Sequence, residues 1–347
     1  MQRKLAAAAP RSPYSALLMS AITPDQASLA PLRSACGFAD FSSAGRLFIS
    51  GEDSLDLLNR LTTNKLEELP QGQSITTIIT NADGRVVDFV ALAGLDDGIW
   101  CITSPRYAQT VVDWLDSYTF AEDITVVDWT SDTFQFTVAG PTAPAAIAKA
   151  VGQRNLAINS ALRIDIASVS LVVWHRLAGG AEAFEIVGDL ADRDTVFARL
   201  VEAGAKPSSI EEWERHRILN GMPVIDAEFG LFNNPLEARL LGSISETKGC
   251  YTGQEVLARL ITYNKVQRRL MTVDLDSTVA LGAKLIASDG KSAGHITSVT
   301  ETPSGIKGLA LVATRLAIDG VALAIDPIGK ATLHEPAYAL ATEPFSE

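Results

Sequence analysis

A chain of 347 residues, 47% hydrophobic and 20% charged, holds material for two or three domains with sizeable cores and is no disordered chain. Its formal net charge of −12 argues against direct nucleic-acid binding, which needs a basic face to neutralise phosphates. Three scattered cysteines, Cys36, Cys101 and Cys250, exclude a disulfide framework, and no apolar run reaches the roughly 18 residues of a membrane span.

Residues 1–24 carry Arg3, Lys4 and Arg11 and no acid. They read as a flexible N-terminus (1–25) of a cytoplasmic protein, or as a transit peptide that would send the chain to the mitochondrial matrix. The body starts near residue 26. Leu55, Leu58 and Leu61 recur at helical spacing after Ser50 as a cap, and ITTIIT and RVVDFVALAG flank the turn NADG, a helix followed by a hairpin. A second hairpin joins VSLVVWHRL to AFEIV, and a helix follows over about 192–203. Ser208 with Glu211 forms a capping box for a further helix, closed by Asn220, Gly221 and Pro223. Mixed α+β layers are expected. After about Arg269 short runs such as MTVDL, GHITSV and GLALVA alternate with turn residues, the texture of a small antiparallel barrel or sandwich, with a boundary near 266–270.

The stretch KGCYTGQE at 248–255 carries the first chemical signal. Thr252 and Glu255 have capping-box spacing, so a helix starts near Gly253, with Val256, Leu257, Leu260 and Ile261 as its apolar stripe. Cys250 then sits near the positive helix end and two residues from Lys248; both favour a thiolate. A buried cysteine acting as a small hydrophobe is the bland alternative. Between Leu236 and Met271 six bases face three acids, a local reversal of the chain's charge.

Three other residues break hydrophobic patterns. Asp88 lies on a strand that is apolar on both faces, and Arg217 falls on the apolar stripe of its helix. Glu185 alternates with Phe184 and Ile186 and reads by default as the solvent side of an edge strand. The four histidines fall in no metal-ligand spacing, and no phosphate-binding or nucleophile-elbow motif appears.

KGCYTGQEVLAR, preceded by GMPVIDAEF and followed by KVQRRL, resembles the signature of the YgfZ-type folate-binding proteins of iron–sulfur cluster assembly, relatives of the glycine-cleavage T-protein (aminomethyltransferase). LTTN, ITNADGRVVDFV, VAGPTAP and GHITSV are similar to T-protein segments, and the likeness runs over about 26–335. The resemblance implies an α+β, T-protein-like three-domain ring around a folate channel. Two intertwined α+β domains would occupy 26–265, the inserted one about 51–128, and a C-terminal antiparallel β-barrel 266–347.

The resemblance further implies that Asp88 is the catalytic acid facing tetrahydrofolate, that Glu185 binds the pterin and that Arg217 matches the family arginine. Lys248 and Tyr251 of the motif join them as cofactor contacts, and Cys250 is the reactive group, with no metal ligands. Ala178 stands where the family's pterin-site tyrosine is usual, and KGCYTG replaces the T-protein's KGDFIG. The implied function is a folate-dependent accessory factor in assembly or repair of iron–sulfur clusters in client enzymes, including radical enzymes of tRNA modification. The alternative is a tetrahydrofolate-dependent aminomethyltransferase or methyltransferase. Reduced folate, client enzymes and assembly proteins are the implied partners of a monomer.

Overall fold

The protein is described by a computed structural model over residues 30–337, apart from 97, 153–155 and 179–180. The leader 1–25 and the end of the C-terminal segment, 338–347, lie outside the described residues, as does the side chain of Ala178.

The chain opens with helix α1 (Ala30–Ser34) and strand β1 (Gly37–Asp40), then passes into a second unit. This unit comprises β2 (Ala44–Ser50), α2 (Ser54–Leu61), β3 (Ser74–Thr80), β4 (Val86–Leu95), β5 (Gly98–Pro105), α3 (Ala108–Ser117) and β6 (Thr125–Asp128). The chain returns through β7 (Thr133–Ala139), α4 (Ala143–Val151), β8 (Ser160–Ile166), β9 (Val169–Ala178), β10 (Ala181–Asp189), α5 (Arg193–Glu202), β11 (Lys206–Pro207) and α6 (Ile210–Asn220). After a long irregular connection come α7 (Gln254–Thr262) and strands β12 (Arg268–Leu275), β13 (Lys284–Ile286), β14 (Ser292–Thr302), β15 (Gly305–Ala313), β16 (Ala322–Ile325) and β17 (Lys330–His334).

Two sheets form, in the orders β11-β1-β7-β10-β9-β8 and β3-β4-β5-β2-β6. Strand alternation makes them pack face to face. On β9, Leu171 and Val173 turn to helices α4 and α5, while Val172 and Trp174 turn to the other sheet. On β4, Val90 and Leu92 meet α2 and α3, and Ala91, Ala93 and Leu95 meet Val172, Trp174 and Val187. The result is four layers, helix, sheet, sheet, helix. Leu57, Leu58 and Leu61 of α2 are buried, each contributing about 1.5–3 kcal/mol on burial.

The second unit is joined to the first by two adjacent connections, pinned by Arg46. This fully buried arginine donates to Thr133 Oγ1 (2.6 Å) and to the carbonyls of Ala44 (2.6 Å), Ser42 (3.2 Å), Thr130 (2.5 Å) and Thr133 (3.2 Å). Both connections are thus held by one side chain.

The last six strands close into an antiparallel barrel in the order β12-β15-β14-β13-β16-β17. Met271 and Val273 point into its core, whereas Leu270, Leu309 and Leu311 form an outer patch against Ile218 of α6. No described helix is long and apolar enough to cross a membrane.

Three local expectations are corrected. Ser50 ends β2, and the residue before α2 is Asp53. The capping box of α6 is Ser209 with Glu212, one residue later than expected, because the run SSIEE satisfies the motif in both registers. At α7 there is no capping box: Gly253 occupies the cap position at φ +82°, and Glu255 pairs with Arg259 instead.

Candidate functional site

A cavity of about 410 Å³ opens between the two sheets and α6. Phe89 and Ile102 from one sheet and Phe41, Gln135, Thr137 and Glu185 from the other line it. Trp213, Glu214 and Arg217 of α6 and the segment 222–229 complete the wall.

Glu185 is not on an edge strand. β10 lies between β7 and β9, and the facing sheet covers its polar side, so the carboxylate is 0% exposed. It accepts from Gln135 Nε2 (2.9 Å), Thr137 Oγ1 (2.5 Å), and Arg176 Nε and Nη2 (3.0 and 2.5 Å). Buried charge demands such pairing.

Arg217 lines the same cavity but does not reach water from the helix stripe. Its Nε and Nη2 hold the Glu214 carboxylate, Nη1 donates to Glu228 (3.1 Å) and the Met222 carbonyl (3.0 Å), and Nη2 also meets Ser298 Oγ (2.8 Å). Ser298 Oγ in turn donates to Glu228 (2.6 Å), so α6, the 222–228 segment and the barrel meet at one guanidinium.

Asp88 is enclosed in the wall. Its neighbours Phe89 and Ser104 line the cavity, and their backbone N–H groups donate to its carboxylate at 2.8 and 3.0 Å. Burial, reinforced by the charge of Asp226, raises its pKa to about 7 in spite of these bonds. Asp226 accepts from the Tyr107 hydroxyl (2.7 Å) and stands at φ +64°. The cavity wall therefore contains a carboxyl able to hold or release a proton near neutral pH.

The motif residues gather elsewhere. Lys248 is buried, its pKa lowered by burial to about 8, and Nζ donates to the carbonyls of Asn59 (2.7 Å), Thr62 (2.6 Å) and Asn64 (2.7 Å). It thereby satisfies carbonyls at the C-terminal end of α2. Its ammonium lies 5.1 Å from the centre of the Tyr251 ring, which packs with Leu236 and Leu257; burial lifts the Tyr251 hydroxyl to about 12. Neither lines the cavity.

Cys250 is exposed and outside the cavity lining. Gly253 is required beside it, since a Cβ there would lie 2.5 Å from the Asn81 carbonyl, whereas Gly249 faces open space. Of the expected α7 stripe only Leu257 is buried; Val256 and Ile261 remain exposed. The segment 242–252 is bolted to the second unit by Thr63 Oγ1 to Ser243 O (2.6 Å), Ser245 N to Thr63 O (3.0 Å) and Thr252 N to Arg60 O (3.0 Å). Its first residues, Gly242 and Ser243, line the cavity.

The two other thiols are buried, and burial raises Cys36 to about 11 and Cys101 higher still. Iodoacetamide on the folded protein is therefore expected to give one adduct, at Cys250, with Cys36 and Cys101 reacting only after denaturation. Comparable labelling of all three, read by peptide mass spectrometry, would contradict the burial.

Sequence reasoning missed Gln135, Thr137 and Arg176 around Glu185, and Glu214 and Glu228 around Arg217. Gln135 and Thr137 alternate with Phe134 and Phe136, which from sequence alone reads as a solvated strand face. Cross-strand register, with Glu185 opposite Thr137, was the missing information.

The architecture defines a T-protein-type molecule. The aminomethyltransferase T of the glycine cleavage system from Bartonella henselae superposes with a TM-score of 0.77, covering 92% of this chain and 90% of that one at 15% identity. The family described as the GCVT N-terminal domain matches residues 20–248, and the CAF17 C-terminal beta-barrel domain matches 267–339. The chain belongs to the GCVT family, in the CAF17/YgfZ-type branch that carries this barrel. A protein of Arabidopsis thaliana named as a chloroplastic transferase is 31% identical over 77% of this chain, which spans 62% of that relative's length. The aminomethyltransferase of Lysinibacillus sphaericus is 23% identical over 88% of both chains.

Proposed function

We propose that the chain binds a reduced folate in the cavity between its sheets and serves as an accessory factor in assembly or repair of iron–sulfur clusters, with Cys250 as the group offered to a client or assembly protein. The observation that carries the proposal is the position of Cys250: a solvent-exposed thiol on a loop braced to α2, outside the cavity. A thiol so placed meets a macromolecular partner more readily than a ligand inside the cavity. Tetrahydrofolate, which carries one-carbon units, fits the cavity on two counts. About 410 Å³ lies within the range of small-molecule sites. Phe89, Ile102 and Phe229 give apolar walls for a ring.

The test is complementation of a strain lacking the protein, read as iron–sulfur enzyme activity, alongside a tetrahydrofolate titration of the purified chain. Wild type restores activity and Cys250→Ala does not; full restoration by Cys250→Ala overturns the role of the thiol. A second function, a tetrahydrofolate-dependent aminomethyltransferase or methyltransferase, is favoured by Asp88, a carboxyl poised near pH 7 behind the cavity wall. Aminomethyl transfer by the wild type that is lost in Asp88→Asn would decide for it.

A further inference from the structure

Two residues hold strained backbone on loops that meet. Arg106, between β5 and α3, has φ +67°, and Asp226, in the segment 222–229, has φ +64°. Residues other than glycine keep such conformations only where their surroundings dictate them, and these gather at functional sites. One hydrogen bond joins the loops: the Tyr107 hydroxyl donates to Asp226 Oδ1 at 2.7 Å. On one side this clasp leads to Asp88. Ser104 donates its N–H to Asp88 Oδ2 (3.0 Å), and its carbonyl accepts from the Tyr107 N–H (3.0 Å), so the two ends of one short turn hold Asp88 and Asp226. On the other side the Asp226 N–H donates to the Phe229 carbonyl (2.8 Å), and Glu228 between them is fixed by Arg217 (3.1 Å) and Ser298 (2.6 Å). Ser104 and residues 222–225 line the cavity, whereas Tyr107 and Asp226 stand behind that lining. Asp226, half-buried within the GMPVIDAEF stretch, has no ion-pair partner among the described residues. Burial first, and then Asp226, raises the pKa of both Asp88 and Tyr107.

We propose that Tyr107 and Asp226 are positioning residues for Asp88: their clasp fixes the turn whose Ser104 N–H holds the carboxyl, and the unpaired charge of Asp226 keeps that carboxyl protonated at neutral pH. A second negative charge near a buried carboxyl disfavours its ionisation, and low-dielectric surroundings lengthen the reach of that charge. The other titratable groups acting with Asp88 are Cys101 of β5 and Tyr107 itself, which burial keeps neutral; Arg106 acts on Tyr107. The N–H groups of Phe89 and Ser104 pull the other way, since they favour the carboxylate. The clasp holds these opposed influences in fixed geometry, as an acid that gives up and regains a proton near neutral pH requires. The assignment rests on the reading of Asp88 as a proton-holding group behind the cavity wall and is independent of which ligand the cavity takes.

Two variants separate charge from clasp. Asp226→Asn removes the charge, while asparagine tolerates the left-handed backbone and keeps an acceptor for Tyr107. Tyr107→Phe removes the clasp and leaves the charge. The first measurement on the purified full chain is the Asp88-specific pH dependence. Urea stability between about pH 4 and pH 9 is taken for each protein, minus that of the same protein also carrying Asp88→Asn. In wild type this difference is lost as pH rises through about 7. In Asp226→Asn the loss is expected at lower pH, by about half a unit or more, because removing a like charge lowers the folded-state pKa toward the free value. The second measurement is hydrogen exchange at the Phe89 and Ser104 amides, the two donors to Asp88. Tyr107→Phe is expected to speed both about tenfold with barrel amides unchanged, and Asp226→Asn to leave both within about twofold. A midpoint unmoved by Asp226→Asn, or wild-type exchange at Phe89 and Ser104 in Tyr107→Phe, overturns the assignment. Acceleration spread evenly over the whole chain in Tyr107→Phe makes Tyr107 a packing residue and overturns it as well. If wild type shows no Asp88-dependent step near pH 7, the reading of Asp88 falls and takes the assignment with it, while the tetrahydrofolate titration still decides the folate proposal.

Discussion

Arg217→Met is expected to destabilise the protein by about 3–5 kcal/mol, the range seen when one partner of a buried ion pair is removed. Methionine fills much of the arginine volume, so the loss is electrostatic and polar in origin. Glu214, 7% exposed, and Glu228, fully buried, would be left facing each other's surroundings without a cation. The Met222 carbonyl and Ser298 hydroxyl would each lose a donor as well. Typical domains are stable by only about 5–15 kcal/mol, so much of the reserve goes with one side chain. Urea unfolding measures the effect, and the double variant Arg217→Met, Glu228→Gln should recover part of it by discharging one stranded carboxylate. A loss under about 1 kcal/mol would mean that the network behaves like solvated surface pairs.

The second large effect is a pH dependence at Asp88. Its carboxyl titrates near 7 in the folded chain and near 3.8 when free, chiefly because burial disfavours the charged form. The folded state therefore holds the proton more tightly than the unfolded state. The resulting stabilisation is fully present below pH 3.8 and is lost as pH rises through 7, an amplitude of about 4 kcal/mol at 1.36 kcal/mol per pH unit. Asp88→Asn abolishes that slope. It also gives up an acceptor to the N–H of Phe89 or Ser104, a penalty that does not vary with pH. The stability of Asp88→Asn relative to wild type should hence rise steadily from pH 4 to pH 8. Parallel curves for the two proteins would show that Asp88 ionises freely.

Much of the architecture was legible because it rests on short-range chemistry. The NADG turn between alternating strands gave the β3–β4 hairpin, and the close spacing of turns after Arg269 gave a small antiparallel barrel or sandwich, which the family likeness narrowed to a barrel. The exact helix starts were not legible, since SSIEE fits two capping registers and Gly253 overrides Thr252 through its positive φ. Asp88, Glu185 and Arg217 stood out as polar residues in apolar settings, or by family likeness in the case of Glu185. What they touch depends on partners far along the chain: Gln135 is 50 residues from Glu185, and Ser298 is 81 from Arg217. Lys248 illustrates the limit. Its place two residues before Cys250 suggested electrostatic help for the thiol, while in space its ammonium faces three carbonyls at the end of α2. Local spacing cannot tell an activating lysine from a bracing one.

The Arg46 neck bears on how the molecule moves and folds. A unit hung from two adjacent strands can swing only about the line through both, and Arg46 ties those strands to each other at Ser42, Ala44, Thr130 and Thr133. Phe41, Ala44 and Gln135 at that neck also line the cavity, so the hinge and the rim are one piece. The same neck orders assembly: β1 cannot zip to β7 until the loop of some ninety residues between them has closed, at an entropic cost of about 4 kcal/mol. A second unit that folds first brings Asp40 and Thr133 together in advance, so the outer sheet is completed around a finished insert.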